Sequence, residues 1–175
     1  VCKASGTHPE VARLAVRRLD ELGAASALDP SRLGVLVVGH GTPRNPVEEY
    51  LLSPLQFRDN APLVSVWPLF VGHSHMPMIF RFMNGDAANV DARFLEDAEE
   101  TLPRDRAGHW APVALNPGSV GQPRDQNNRA SCGLYDSDKG TFRIVRMPYD
   151  ISAAQEKIRA AGLPEYLALR LAYGQ

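Results

Sequence analysis

The chain has 175 residues, enough for one domain of ordinary size, and its content of 44% apolar and 22% charged residues is typical of a globular protein. The net charge of −1 gives no basic footprint for nucleic acid, and no apolar run approaches the ~20 residues that cross a bilayer. Two cysteines, Cys2 and Cys132, do not suggest a disulfide framework, and no basic-then-apolar leader is present, so we expect a cytoplasmic protein.

The first third of the chain predicts a helix, a buried strand and a turn-rich loop. Residues 7–10 fit a capping box, and apolar residues at helical spacing follow up to residue 22. The β-branched run 34–38 predicts a strand that is buried on both faces, and a loop rich in glycine and proline follows it. After this loop we expect a short helix at 47–52 and a polar connection at 56–62.

The middle of the chain predicts short strands and hairpins. The apolar run 63–71 is typical of a buried strand, and residues 78–83 and 90–95 flank Asn84-Gly85, a dipeptide that favours a type I′ hairpin turn. Residues 96–108 are charged, so we expect them to be solvated.

The last third predicts a further strand, a second hairpin and two helices. Residues 111–115 form the predicted strand, and 132–135 with 141–146 form the hairpin. Ser152 with Gln155 suggests the start of one helix, Gly162 its end, and Pro164 the start of the next. Helices at the ends and short buried strands between them predict one layered α/β domain.

Three histidines follow predicted strands. His40 lies two residues after the first buried strand, and His73 and His75 come directly after the apolar run 63–71. A His-x-His pair by itself is weak evidence, because two solvated loop histidines would give the same pattern. If the two strands are near neighbours in the sheet, however, all three imidazoles can converge on one metal ion with an open coordination position.

Three motifs in the same region resemble those of the calcineurin-like metallophosphoesterase superfamily, and of its small bacterial and archaeal phosphodiesterases in particular. They are HGTPRNPVEEYL from His40, GHSHMP from Gly72 and NPGSVGQPRD from Asn116, and together they place the resemblance over residues 33–149. The resemblance implies a layered β-sandwich flanked by helices.

The resemblance also implies roles for individual residues. His40 and His73 would bind one metal ion and His75 the other, with Mn, Fe, Ni or Zn as the divalent metals and a metal-bound hydroxide attacking a small phosphoester. No catalytic side chain can be assigned. Arg44 is a candidate for binding the substrate phosphate, although an ion pair with Glu48 or Glu49 explains it equally well.

The opening motifs of the superfamily, Asp-x-His and Gly-Asp-x-x-Asp, are missing from the sequence. We therefore expect a domain over residues 1–175 that is N-terminally incomplete, lacks its first strands, and holds two, one or no ions. On this basis the chain alone should bind metal weakly and hydrolyse phosphodiesters or phosphomonoesters poorly.

Two other functions stay open. A non-catalytic scaffold on the same fold would explain the missing carboxylates, and a homo-oligomer is compatible with that function. A tetrapyrrole metal chelatase is suggested by residues 38–42, which resemble the GHGT/S-R loop of those enzymes, but this similarity covers a much shorter segment.

Overall fold

The computed structural model describes residues 37–175. The strands are β1 Val37–Val38, β2 Leu69–Phe70, β3 Pro77–Met83, β4 Asp86–Phe94, β5 Glu99–Thr101, β6 Val113–Pro117, β7 Ala130–Asp136 and β8 Thr141–Met147. The α-helices are α1 Pro54–Asn60, α2 Ile151–Ala160 and α3 Glu165–Leu169, and 3₁₀ turns lie at Ala61–Leu63 and Arg170–Tyr173. The predicted capping box at 7–10, the helix after it and most of the strand predicted at 34–38 lie outside the described residues.

The strands form two sheets. The larger sheet has the order β1-β2-β6-β3-β4, in which the first three strands are parallel and β3 is antiparallel to both of its neighbours. The smaller sheet has the order β5-β8-β7 and is antiparallel throughout. Two sheets with flanking helices confirm the predicted layered α/β architecture.

The alternation of side chains along β3 divides the interior into two cores. Phe80 is buried against Phe57 of α1 on one face of the large sheet. Ile79 points to the other face, where it belongs to a cluster with Phe142 and Ile144 of the small sheet. Each of these side chains contributes about 1.5–3 kcal/mol by burial, so the large sheet is held from both sides.

The helix predicted at 47–52 is wrong, and the segment predicted as a polar connection contains the helix instead. Ser53 accepts a hydrogen bond from the Gln56 N–H and Gln56 reaches back to the Ser53 N–H, which is a complete capping box, and Pro54 occupies the first turn. Residues 46–48 form a turn because the Asn45 side chain accepts the Val47 and Glu48 N–H groups.

Two further boundaries differ from the prediction. Only Leu69–Phe70 of the apolar run 63–71 is a strand, since Pro68 has no N–H to donate to a ladder. Within the segment expected to be solvated, Glu99–Thr101 pairs with β8 and Leu102 is buried.

The turns are predicted better than the strand lengths. Asn84 and Gly85 have φ angles of 54° and 75°, as a type I′ turn requires, and the hairpin between β7 and β8 is present. Gly162 ends the segment after α2 with a φ of 68°, and Pro164 precedes α3. The N-cap of α2, however, is Asp150 rather than Ser152, because the Asp150 carboxylate accepts the Ala153 N–H at 2.9 Å.

Candidate metal centre

The predicted histidines lie at one edge of the large sheet. Because β1 and β2 are parallel neighbours, the loops that follow them leave the sheet at the same edge. Backbone hydrogen bonds continue the pairing past the strands, from the Gly39 N–H to the Phe70 carbonyl at 2.8 Å and from the Gly72 N–H to the His40 carbonyl at 2.9 Å. The two histidine loops are therefore fixed to each other at the point where they begin.

His40 and His73 are in contact. Their ring centroids are 4.5 Å apart and the rings are tilted by 57°, so two imidazoles from separate loops face a common space. Tyr50 stacks on His73 with a centroid distance of 4.1 Å and an interplanar angle of 12°. His73 is therefore held between a second imidazole and an aromatic ring.

Backbone carbonyls fix which nitrogen of each ring remains available. His73 Nε2 lies 3.2 Å from the Glu48 carbonyl oxygen, and His75 Nδ1 lies 2.8 Å from the Gln122 carbonyl oxygen. A carbonyl oxygen can only accept, so these two nitrogens carry the protons. In the neutral form of each ring, the lone pair then lies on Nδ1 of His73 and on Nε2 of His75, and a neutral imidazole with a free lone pair is the form that binds a metal.

The backbone turns sharply at both histidines of the second loop. His73 and His75 have φ angles of 62° and 61°, in the left-handed region that costs non-glycine residues of order 1–3 kcal/mol. Between them the Ser74 N–H donates to the Gly72 carbonyl at 2.7 Å. Such strain persists only where the surrounding structure imposes it.

Asn116 imposes this conformation. Its side chain is fully buried at the end of β6, where Nδ2 donates to the Gly72 carbonyl at 2.8 Å and to Ser74 Oγ at 2.9 Å. Its Oδ1 accepts the Gly118 N–H at 2.9 Å. Asn116 belongs to one of the three motifs but has no role assigned from the sequence; the signal for such a role is an amide side chain directly after the predicted strand 111–115.

His75 is the half-buried member of the set. Burial lowers its pKa below the usual 6.5, the hydrogen bond to the Gln122 carbonyl opposes this, and the charges of Arg124 and of the other two histidines lower it further. Because its pKa is lowered overall, His75 is neutral near physiological pH, and the neutral imidazole is the form able to bind a metal.

Arg44 forms the ion pair that was one of its two predicted roles. Its guanidinium pairs with Glu49, which also accepts a hydrogen bond from the buried Thr42 hydroxyl, and the Arg44 N–H donates to Asn60 Oδ1 at 2.8 Å. The hydrogen bonds from Arg44 and Thr42 lower the pKa of Glu49 from 4.5 to about 2. This network closes the loop after His40, and the phosphate-binding role of Arg44 stays a prediction.

The described residues offer imidazole nitrogens without carboxylates beside them. Within residues 37–175, no group of three or more His, Cys, Asp or Glu side chains lies close enough together to hold a metal ion. His40 and His73 are in contact, but His75 does not form a group of three with them, so the described residues do not bring all three imidazoles together around one ion. The assignment of these three residues as ligands stays a prediction.

Comparison with known proteins adds the family. No protein-family profile matches the sequence. An uncharacterized protein of Methanocaldococcus jannaschii is 37% identical over 143 residues, which are 80% of this chain and 52% of that protein. The chain thus spans about half the length of this curated relative.

Two solved structures resemble the described fold. A metallophosphoesterase from Sphaerobacter thermophilus superposes with a TM-score of 0.72 and 34% identity, over 82% of this chain and 57% of that one. A hypothetical protein from Pyrococcus horikoshii superposes with a TM-score of 0.55 over 91% of this chain and 57% of that one, and its 17% identity shows likeness of fold alone. The first match, the sheet order and the three motifs around His40, His73 and Asn116 together support the calcineurin-like metallophosphoesterase superfamily as the family of this chain.

Proposed function

We propose that this chain forms part of a metal-dependent phosphoesterase that hydrolyses a small phosphodiester or phosphomonoester, with His40, His73 and His75 as metal ligands. The observation that carries the proposal is the contact between His40 and His73 at the edge of the parallel strands. The metallophosphoesterase from Sphaerobacter thermophilus supports the reaction class.

The donor set decides which ions fit. Imidazole nitrogens suit Mn, Fe, Ni and Zn among the divalent metals, and these are the ions we propose. A bound divalent cation polarises a phosphoryl oxygen and stabilises the negative charge that develops on it. The contribution of this chain is to orient two of the imidazoles, since one ring nitrogen of His73 and one of His75 each lie within hydrogen-bonding distance of a backbone carbonyl.

A two-ion centre also needs carboxylates, and the proposal places them outside residues 37–175. Two cations held by neutral imidazoles alone would repel each other, whereas bridging carboxylates compensate their charge. The number of ions per chain therefore measures how much of the centre the 175 residues provide.

The test combines metal content with hydrolysis. Purified protein of verified mass is loaded with Mn²⁺ or Zn²⁺, its metal content is measured by mass spectrometry, and hydrolysis of bis(p-nitrophenyl) phosphate is followed. We expect His73→Ala to lose metal and activity, whereas His109→Ala, at an 80% exposed side chain paired with Asp105, retains both. Absence of bound metal from the unaltered protein would overturn the proposal in favour of a scaffold.

Membrane insertion and the chelatase alternative receive no support. Among the described residues, no helix has the length and apolar character to cross a bilayer. Tetrapyrrole chelation was suggested by residues 38–42 alone, and no feature of the structure favours it.

A further inference from the structure

The last segment of the chain, from α3 into the 3₁₀ turn that follows it, is apolar on two opposite faces. Ala168 and Leu171 are 0% and 3% exposed, so one face is buried in the fold. Tyr166, Leu169 and Tyr173 follow at intervals of three and four residues, which places them on one helix face, and they are 62%, 49% and 66% exposed. A surface helix is normally apolar only toward the core, so the second apolar face indicates a contact with another molecule.

We call these three exposed side chains the tyrosine stripe. Two tyrosines and a leucine exposed to this degree offer on the order of 300 Å² of surface. Single exposed apolar residues need no explanation, whereas a contiguous patch of about 300–600 Å² on a monomer is often functional. A standard interface buries about 800 Å² of each partner, so the stripe suits the apolar centre of an interface whose rim is formed by polar residues of α2 and α3.

The segment that carries the stripe is fixed to the rest of the fold. Gln155 of α2 donates from Nε2 to the Ala168 carbonyl at 3.0 Å. Asn128, in the loop before β7, donates from Nδ2 to the Ala172 carbonyl at 3.0 Å. A surface that is already ordered loses little conformational freedom on binding, so the stripe is prepared for association.

The charges beside the stripe can pair between two copies of the chain. Glu165 opens α3; its carboxylate accepts from Arg159 of the same chain, and its side chain is still 54% exposed. Arg170 begins the 3₁₀ turn, and its guanidinium lies 6.0 Å from the ring centroid of Tyr166. From residue 37 onward, no carboxylate oxygen lies within 4.0 Å of this guanidinium, and its Nε has no hydrogen-bond partner.

An antiparallel arrangement of two copies brings the complementary groups together. About a two-fold axis that passes near Leu169, Tyr166 of each copy lies against the partner's Tyr173. The acidic start of each segment then lies beside the basic turn of the other, so Glu165 can pair with the partner's Arg170. A membrane surface fits less well, because helices that bind it are rich in Lys and Arg on their polar face, whereas α2 and α3 carry charges of both signs.

We propose that this chain forms a two-fold symmetric dimer through the tyrosine stripe. The stripe of one copy packs antiparallel against that of the other, and Glu165 of each copy pairs with the partner's Arg170. The interface uses only residues of this chain and needs no metal.

The first experiment measures the oligomeric state. The full 175-residue protein in EDTA is examined by sedimentation equilibrium over a range of concentrations, and we expect a reversible dimer. Leu169→Ser should weaken it about 10- to 100-fold, since each dimer loses two half-buried leucines. Leu55→Ser, at a 55% exposed leucine of α1, is the matched control and should leave the dissociation constant unchanged. A monomer at every concentration, or equal effects of the two substitutions, would overturn the proposal.

Charge reversal tests the ion pair across the axis. Glu165→Lys places a second cation beside the partner's Arg170 and should weaken the dimer about 3- to 10-fold. Glu156→Lys makes the same change of charge at an exposed position of α2 and should have no effect. Thermal melts of both variants exclude unfolding as the cause, and equal weakening by both would reject the pair.

The second experiment determines the direction of packing. Under mild oxidation, Tyr166→Cys protein mixed with Tyr173→Cys protein should form a disulfide-linked dimer, whereas Tyr166→Cys protein alone should not. The unaltered protein, which contains Cys2 and Cys132, gives the background on the same non-reducing gel. Cross-linking of Tyr166→Cys to itself, or no cross-linking above background in the mixture, would contradict the antiparallel dimer.

Discussion

Tyr50 lies flat on the imidazole of His73, with 4.1 Å between ring centroids and 12° between planes. The two residues come from different loops, since Tyr50 precedes α1 and His73 follows β2. The stacking fixes the ring plane of His73, while the hydrogen bond to the Glu48 carbonyl fixes which nitrogen is protonated. Orientation of a ligand ring by its neighbours raises metal affinity because less freedom is lost on binding.

Loss of this stacking should weaken metal binding. We expect Tyr50→Ala to lower the affinity for Zn²⁺ about 2- to 10-fold, which corresponds to the ~0.5–1.5 kcal/mol of an aromatic pair. Tyr50→Phe retains the ring and should retain the affinity. Competition with a chromogenic chelator measures both constants, and equal affinities of Tyr50→Ala and the unaltered protein would show that Tyr50 does not orient the ligand.

His75 should make stability dependent on pH. Its pKa in the folded protein is lowered, chiefly by burial, whereas in the unfolded chain it is near 6.5. As pH falls below 6.5 the unfolded chain takes up the proton first, so the free energy of unfolding decreases with falling pH and is constant above 6.5. Urea denaturation in EDTA between pH 5.0 and 7.5 measures this slope.

A matched pair of variants assigns the slope to His75. His75→Asn retains a donor for the Gln122 carbonyl but does not titrate, so the slope below pH 6.5 should become shallower. His109→Asn changes a solvent-exposed histidine and should leave the slope as it is. A slope that is the same in His75→Asn would place the titrating group elsewhere.

The sequence predicts the hairpins and the histidine edge because their signals are local. Asn84-Gly85 needs only two residues with positive φ, and the glycine-rich loops after β1 and β2 are marked by their own residues. The helix at Pro54–Asn60 was not predicted because residues 56–62 are largely polar and resemble a loop. The signal that marks the helix is the capping box of Ser53 and Gln56 at its start. The apolar character of residues 63–71 does not predict the length of β2, because the number of paired residues depends on the strands that lie beside it.

The candidate site shows the same difference between residues with local sequence signals and residues whose roles depend on long-range contacts. His40, His73 and His75 follow from strand ends, whereas the role of Asn116 requires knowing that β6 lies beside β2. The pairing of Arg44 with Glu49 could be proposed from spacing, but the choice of Glu49 over Glu48 depends on how the loop closes on Thr42. Long-range contacts of this kind are set by the tertiary fold.

Asn116 should be needed for both stability and the histidine loop. Asn116→Ala leaves the Gly72 carbonyl and Ser74 Oγ without their buried donor, and we expect the free energy of unfolding to fall by about 2–3 kcal/mol. Asn89→Ala, at an exposed position of β4, should change it by less than about 0.5 kcal/mol. Urea denaturation compares the two variants, and a similar small effect in both would argue against the role of Asn116 as the support of this loop.

Glu49 should stabilise the loop after His40 in a way that acid removes. Its folded pKa of about 2 lies below the unfolded value near 4.5, so its contribution is fully present above pH 4.5 and is lost as pH falls toward 2. We expect Glu49→Gln to lower the free energy of unfolding by roughly 1 kcal/mol at pH 7 and by less at pH 3. The exposed neighbour Glu48, changed to Gln, is the control; a deficit in Glu49→Gln that does not shrink in acid would contradict the ion pair.

Two glycines of the loop after β6 should differ in how much alanine destabilises the fold. Gly118 has a φ of 80°, and a Cβ there would lie 2.7 Å from Ser131 Oγ, whose hydroxyl donates to the Pro117 carbonyl. Gly121 has neither a positive φ nor a neighbour within 4 Å of a Cβ. Gly118→Ala should therefore lower the free energy of unfolding by about 2–4 kcal/mol, through backbone strain and crowding together, and Gly121→Ala by less than about 0.5 kcal/mol.

The same pair tests whether the loop positions His75. The Ser131 N–H donates to the Ser119 carbonyl, Ser119 Oγ accepts the Gln122 N–H, and the Gln122 carbonyl accepts the proton of His75 Nδ1. Displacement of the loop in Gly118→Ala should therefore also move the NMR resonances of the His75 ring, which Gly121→Ala leaves in place. Destabilisation of Gly118→Ala with an unchanged His75 spectrum would confine the role of Gly118 to packing and separate it from the candidate metal centre.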